Sequence, residues 1–427
     1  MLFFSTRGGP RVPLAEAVLK GLAPDGGLYV PLAFPSLAMD DFDPEADLAA
    51  IGEQLIRPFF ADDELAGDLQ DICREALNFP VPLLQTSDER LSILELFHGP
   101  TAAFKDVGAR FLAACLTRLS GDRRPTVMVA TSGDTGSAVA AACAERAGLR
   151  VVILYPEGGV SARQEHQLTC WGDNVLSLRV RGAFDDCQRL VKAAFLDEAL
   201  TAACPLTSAN SISVARLLPQ MSYYAAASLR GRARHGQDAN FIVPTGNLGN
   251  ALAGIWARRC GMPIGQIVLA TNANTVIPRF LGSGQWQPED TVATLASAMD
   301  VGNPSNMERL RHLHPEHADL NQQVSAYAFE DNAIAETVRE THDSLGLAIC
   351  PHTATALAAF RKVDPALSWT ALATAHAAKF EGTVEPLIGQ SVEVPPALAA
   401  LLERPTSKTD IEPSLPALKA RLLDWSQ

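Results

Sequence analysis

The chain has 427 residues, a formal net charge of −13, 47% apolar residues and 19% charged ones. Its length allows two or three domains, its composition argues against disorder, and its acidity disfavours nucleic acid and anionic membrane as partners. No apolar run reaches bilayer length, and the opening MLFFSTRGGPR lacks the layout of a secretory signal, so a cytoplasmic protein is expected.

Residues 1 to about 90 read as an N-terminal domain, with the Gly-rich turn of PDGGLY leading into a short strand and DLAAIGEQLIRPFF as a helical pattern. FPVPLLQTSDERLSILELF follows as loop and strand. From about Thr101, Phe104, Val107, Phe111, Cys115 and Leu119 recur at helical spacing. TVMVA (126–130) then reads as a buried strand, and 132–148 as a turn opening a helix that ends at Gly148. VVILYP (151–156) and NVLSLRV (174–180) are further strands, with a polar helix through Gln164–His166 between them and a helix over 184–200 after them. FIVPTG (241–246) and QIVLATN (266–272) continue the alternation, which implies βαβ units and a mainly parallel sheet. The stretch 282–330 is irregular, 330–346 is a helix, and TALATAH (370–376) supplies a late strand. Eight cysteines without CxxC spacing are expected to be reduced core residues.

Four patterns carry chemistry. The first is Lys105, one of seven lysines, in the first turn of an apolar-faced helix beside Phe104. Desolvation and the positive end of a helix both favour the neutral amine, the form that captures a carbonyl. The same pattern also fits a snorkelling lysine. Two strand-to-helix turns, TSGDTG (131–136) and PTGNLGN (244–250), have the small residues and bare N–H groups that bind anions, and each also fits a plain structural turn or cap. Neither has a dinucleotide fingerprint or a Walker lysine. NSISVAR (210–216) offers an Arg fork, an amide and a hydroxyl, a set suited to a phosphate monoester. His312, His314 and His317 lack the clustered partners of a metal site, and no metal is expected.

HGPTAAFKDVGARF (98–111) resembles the pyridoxal-phosphate lysine segment of the threonine synthase family, within the fold type II enzymes that use this cofactor. The resemblance continues, in order, through STRG (5–8), GLAPDGGLYVP (21–31), TSGDTGSAVA (131–140), NSISVARLLPQ (210–220), PTGNLGNALAG (244–254), MDVGNPSNMERL (299–310), CPHTATA (350–356) and LATAHAAKF (372–380). It implies an α/β, tryptophan synthase β-like fold with two lobes of mainly parallel or mixed sheet and an N-terminal extension. The expected division is 1–90, then 91–270 including a smaller mobile lobe at about 126–215, then 271–427 as the rest of the large lobe with C-terminal helices.

By the same resemblance Lys105 carries pyridoxal 5′-phosphate as a Schiff base. Gly246, Asn247, Leu248 and Gly249, with Asn250 close by, cradle the cofactor phosphate, and Thr374 meets the pyridine nitrogen. Thr131, Ser132, Gly133, Asp134 and Thr135 form the turn that grips the substrate carboxylate, where many relatives carry Asn in place of Asp134 to bond the cofactor's 3′-oxygen. Asn210, Ser211 and Arg216 hold the substrate phosphate. The implied reaction converts O-phospho-L-homoserine and water into L-threonine and phosphate, in a monomer or homodimer. The alternatives are a phospho-lyase that stops at elimination and yields 2-oxobutyrate, and a non-catalytic binder of phosphorylated amino acids.

Overall fold

Three sheets organise the chain, and the computed structural model describes residues 1–121, 124–144 and 146–425 of it. Strand β1 (Leu2–Ser5) pairs antiparallel with β2 (Val12–Pro13) and β3 (Tyr29–Pro31). Helix Leu48–Ile56 starts where the Asp47 carboxylate accepts the Ala50 N–H at 2.7 Å. It packs on helix Leu69–Ala76, which in turn meets the lysine helix, Lys105–Leu119, as does helix Leu14–Lys20, and Phe60 stacks edge-on against Phe111 at 6.1 Å. The N-terminal unit is therefore the backing of the lysine helix.

The chain then forms β4 (Leu83–Gln85) and β5 (Leu91–Glu95), followed by β6 (Thr126–Ala130), β7 (Arg150–Pro156), β8 (Val175–Val180) and β9 (Leu206–Ser208). After a long helix come β10 (Ala239–Pro244), β11 (Ile264–Thr271), β12 (Val324–Ala328), β13 (Trp369–Ala373) and β14 (Thr409–Ile411). The large sheet has the order β12-β11-β10-β13-β5-β4 and is parallel except for β4. The smaller sheet, β14-β8-β7-β6-β9, is parallel throughout. Strands such as β6 are covered on both faces, which is why they read as unbroken apolar runs.

Several bounds differ from the sequence expectation for local reasons. The lysine helix begins at Lys105 and not near Thr101, because Ala102 takes a left-handed φ of 54° and Asp106 ties down the Thr101 N–H. The helix expected to end at Gly148 stops at Cys143. The helix expected over 184–200 breaks at Asp197, whose carboxylate caps a second helix, Glu198–Ala203, through the Leu200 N–H. Strand β12 lies inside the stretch taken as irregular, and β9 and β14 are too short to show a period. The C-terminal segment does not all join the large sheet. β14 pairs with β8, and Leu418 and Leu422 of helix Leu415–Trp425 are buried in the smaller sheet's core with Leu178 and Leu190.

Candidate active site

The C-terminal edges of both sheets converge on one cleft, the position where an open α/β sheet binds ligands. Leaving β5, the chain turns through Gly99–Phe104 and is stitched to the end of β13: Ala103 bridges Ala375, and the Phe104 N–H donates to the Thr374 carbonyl at 2.9 Å. Lys105 and Thr374 thus share a wall, and the Thr374 hydroxyl makes no hydrogen bond among the described residues. Beneath the turn, buried Asp106 accepts the Thr101 N–H at 2.9 Å and its hydroxyl at 2.7 Å. The Lys105 Nζ sits 4.4 Å from the Phe104 ring centroid. Desolvation pushes its ammonium down to about 8; the Arg216 guanidinium adds to that push and Asp134 opposes it.

The turn after β10 leads into the eleven-residue helix Gly249–Arg259. Among the described residues, the N–H groups of Gly246, Asn247 and Leu248 meet no acceptor. Leu248 holds a left-handed φ of 63°, which turns consecutive N–H groups towards one point at a helix N-terminus. Gly246 has no room for a side chain, since a Cβ there would lie 2.7 Å from Met299 Cα. The Asn247 side chain is occupied: its amide donates to the Ser211 hydroxyl and its carbonyl accepts the Ser305 N–H. Asn250 accepts the hydroxyls of Tyr223 and Tyr224, each at 2.7 Å, so its amide Nδ2 is left as a buried donor with no partner.

The turn after β6 is shaped by Thr131, whose hydroxyl accepts the N–H groups of Gly133 (3.0 Å) and Gly136 (2.9 Å). Thr131 therefore serves the turn and does not line the cleft, and the same holds for Gly133, where a Cβ would lie 2.5 Å from Gln164 Nε2. Ser132 and Thr135 are half-buried and also stand outside the described lining, which takes Asp134 alone from this turn. Asp134 is not a bare negative charge. Lys379, fully buried, lies 2.9 Å from its Oδ1 and donates to the Thr101 carbonyl at 2.7 Å, while Gln164 donates to the same Oδ1 at 3.0 Å. Burial opposes ionisation of Asp134, but Lys379 and Gln164 outweigh it and hold the carboxyl below its usual range.

After β9, Ser211 and Arg216 reach the cleft; Asn210 does not, although its buried Oδ1 has no partner. Arg216 donates to the Ala209 carbonyl at 2.6 Å and keeps its Nε unpaired, and burial pushes its guanidinium down to about 10. Asn306 pins this segment to the cradle, donating to the Asn247 carbonyl at 2.9 Å, and buried Arg309 ties it to the N-terminal unit through the carbonyls of Ile212 and Tyr29.

Lys379, His352, Asn306 and Arg309 were assigned no part from the sequence, yet each lies within a segment quoted for the resemblance. A lysine inside LATAHAAKF, in a chain with seven, was the available signal for Lys379. His317 bonds the Phe280 carbonyl, whereas the Nε2 of buried His314 has no hydrogen-bond partner among the described residues.

The wall is rich in protons to donate: three loop N–H groups, Asn250 Nδ2, Arg216 Nε and the Lys105 amine. Its one carboxylate among the described lining, Asp134, is already paired. Such a set fits a phosphate dianion attached to a carbonyl that an amine can capture, which is what pyridoxal phosphate presents. Fold and site together define a pyridoxal-phosphate-dependent enzyme of fold type II, and the family model of pyridoxal-phosphate dependent enzymes matches residues 81–369. Models of the threonine synthase N terminus and C-terminal region match 2–77 and 353–421. The threonine synthase of Serratia marcescens is 40% identical over 418 residues, covering 97% of this chain and 96% of its own. The crystal structure of the Escherichia coli threonine synthase superposes with a TM-score of 0.92 at 36% identity, covering 99% of this chain and all of that one. A pyridoxal-phosphate-bound threonine synthase from Brucella melitensis gives 0.93 at 34% identity over the whole of both chains. The chain belongs to the threonine synthase family.

Proposed function

We propose that this chain converts O-phospho-L-homoserine and water into L-threonine and phosphate, with Lys105 as the group that both holds the cofactor and moves protons. The observation that carries the proposal is the placement of a desolvated lysine amine in one cleft with a loop of free N–H groups and an arginine whose Nε has no partner. Gly246, Asn247, Leu248 and Gly249 would hold the cofactor phosphate through backbone N–H groups, with Asn250 donating from the side and Thr374 facing the ring nitrogen. When bound, pyridoxal phosphate supplies a carbonyl that takes an amine and a ring that withdraws electrons from the carbon being activated.

Lys105 then takes the Cα proton and a Cβ proton of the substrate, phosphate leaves Cγ, and Lys105 returns a proton to Cγ. Water adds its hydroxyl at Cβ while its other proton goes to the departed phosphate, and the second proton that Lys105 took goes back to Cα. Arg216 and Ser211, with Asn210 behind them, would bind the phosphate before and after it leaves. Asp134 and the turn around Ser132 and Thr135 would orient the amino-acid end, Thr131 and Gly133 fixing the turn's shape. Lys379 neutralises Asp134 and so removes the repulsion that an anionic carboxylate would otherwise meet.

The smaller sheet and its helices are proposed as the moving lobe. Contacts that would open and close are Ser161 Oγ on the Lys379 carbonyl (2.8 Å), Arg163 on the Ala378 carbonyl (2.5 Å) and Gln167 on the Thr101 carbonyl (3.2 Å). The same reading places the chain in the cytoplasm, as a monomer or homodimer, where buried thiols such as Cys73 and Cys115 stay reduced. No described helix is long and apolar enough to cross a membrane.

The test is an absorbance spectrum of the purified protein before and after borohydride, followed by a product assay. A visible band that borohydride bleaches while fixing the cofactor on Lys105, with one threonine formed per phosphate released, is the expected result. Release of 2-oxobutyrate in its place would transfer the chain to the phospho-lyase reading, and a protein that takes up no cofactor would overturn the mechanism.

A further inference from the structure

His352 is 3% exposed, on helix Pro351–Phe360, and its ring forms part of the same cleft wall. Two contacts fix the ring. Its Nε2 accepts the Ala298 N–H at 3.1 Å, and the ring meets Phe380 at a tilt of 57° with centroids 4.9 Å apart. An Nε2 that accepts carries no proton, so in the neutral imidazole the proton is on Nδ1. That Nδ1 is buried and has no hydrogen-bond partner among the described residues. Burial, reinforced by the Lys105 and Lys379 charges against a pull from Asp134, pushes the imidazolium down to about 4, so the ring is neutral at ordinary pH.

A buried donor without an acceptor costs folding free energy, and the bond from Ala298 accounts for Nε2 but leaves Nδ1 with nothing in the fold to offset that cost. The charged groups that bear on the ring are Asp134, Lys105 and Lys379, and its partner Ala298 adjoins Met299, which packs against Gly246 of the cradle, so the ring stands in the wall between the lysine and the phosphate loop. We propose that His352 is a binding residue of the reaction site, whose neutral Nδ1–H donates to an anionic oxygen brought in by cofactor or substrate beside Lys105. Two oxygens share that chemistry: the one on the cofactor ring and those of the substrate carboxylate. The proposal rests on the functional reading above.

The test compares holoenzyme variants H352N and H352Q with wild type. Asparagine places an amide N–H where Nδ1 stands, whereas glutamine can still accept the Ala298 N–H but offers no donor at that place. H352Q is expected to fall about 10- to 100-fold below H352N in one of two quantities, the range of one hydrogen bond to a charged group. A loss of cofactor affinity with a shifted absorption maximum assigns the acceptor to the cofactor ring. A rise in KM with cofactor spectrum and affinity unchanged assigns it to the substrate carboxylate. Equal damage in both variants, or none in H352Q, overturns the proposal, the first by reducing His352 to packing. Histidine-selective ¹⁵N NMR of the unmutated protein supplies an arm that needs no variant to fold. An Nδ1–H resonance that moves on adding cofactor or substrate supports the assignment, and its absence overturns it. A wild-type protein that binds cofactor while His352 fails these tests loses only this inference; one that binds no cofactor loses the functional reading with it.

Discussion

Asp134 and Lys379 illustrate how a single pairing changes what a binding turn can accept. Both side chains are almost wholly out of solvent, and each would be costly there alone. Lys379→Met leaves a buried carboxylate unpaired and should destabilise the protein by about 3 to 5 kcal/mol, while Asp134→Asn together with Lys379→Met should recover most of that. Urea unfolding of wild type, both single variants and the double variant measures the cycle, and a double variant no more stable than Lys379→Met would remove the charge-pairing account. Lys105 gives a second prediction at this scale. Its ammonium titrates near 8 where an ordinary lysine titrates at 10.5, so the reactive amine accumulates as pH rises through about 8. The rate at which cofactor-free protein captures pyridoxal phosphate should rise with a midpoint there, and Arg216→Met should move that midpoint upward by removing the neighbouring cation. Stopped-flow absorbance across pH 6 to 11 decides, a wild-type midpoint above about 10 being the adverse result.

At the scale of elements, the turn after β10 depends on close approach more than on flexibility. Gly246→Ala would drive a methyl into Met299 Cα and displace the bare N–H groups, so cofactor affinity should fall at least about tenfold. Fluorescence titration with pyridoxal phosphate measures it, and unchanged affinity would mean that the loop has slack that the packing denies. This turn was legible in the sequence because strand, glycines and helix are contiguous, as were β6, β7 and β10, whose burial on both faces demands runs of Val, Ile and Ala. Other features depend on partners far along the chain. Nothing local marks Lys379 as the counterion of Asp134, and β14 shows no strand pattern because three residues carry no period. Thr131 looked like a ligand residue because its hydroxyl sits in an anion-binding turn, yet a turn must first satisfy its own N–H groups.

For the whole molecule, the buried histidines set a limit on the acid side. Burial pushes His314, His352 and His376 down to about 4 from 6.5, so unfolding takes up protons on all three between those values. Asp300, pushed up to about 6 by burial, acts in the opposite sense, because the folded protein binds its proton first. Near pH 5 the balance favours the unfolded chain, and stability should fall as pH drops from 6.5 to 4, each net proton contributing about 1.4 kcal/mol per pH unit. Urea midpoints measured along that interval check it. Asp300→Asn should steepen the fall, and a flat profile would contradict the histidine environments described.

The pairing of β14 with β8 bears on synthesis. Arg179 and Asp410, bonded side by side through two hydrogen bonds of 2.8 and 2.9 Å, are 231 positions apart. While a ribosome adds that length, at about 5 to 20 residues per second, β8 waits for tens of seconds with a row of unmet N–H and carbonyl groups. A nascent chain cut or stalled before Thr409 keeps that edge open, and the proteostasis machinery meets it as a sticky intermediate and not as a slightly shortened enzyme.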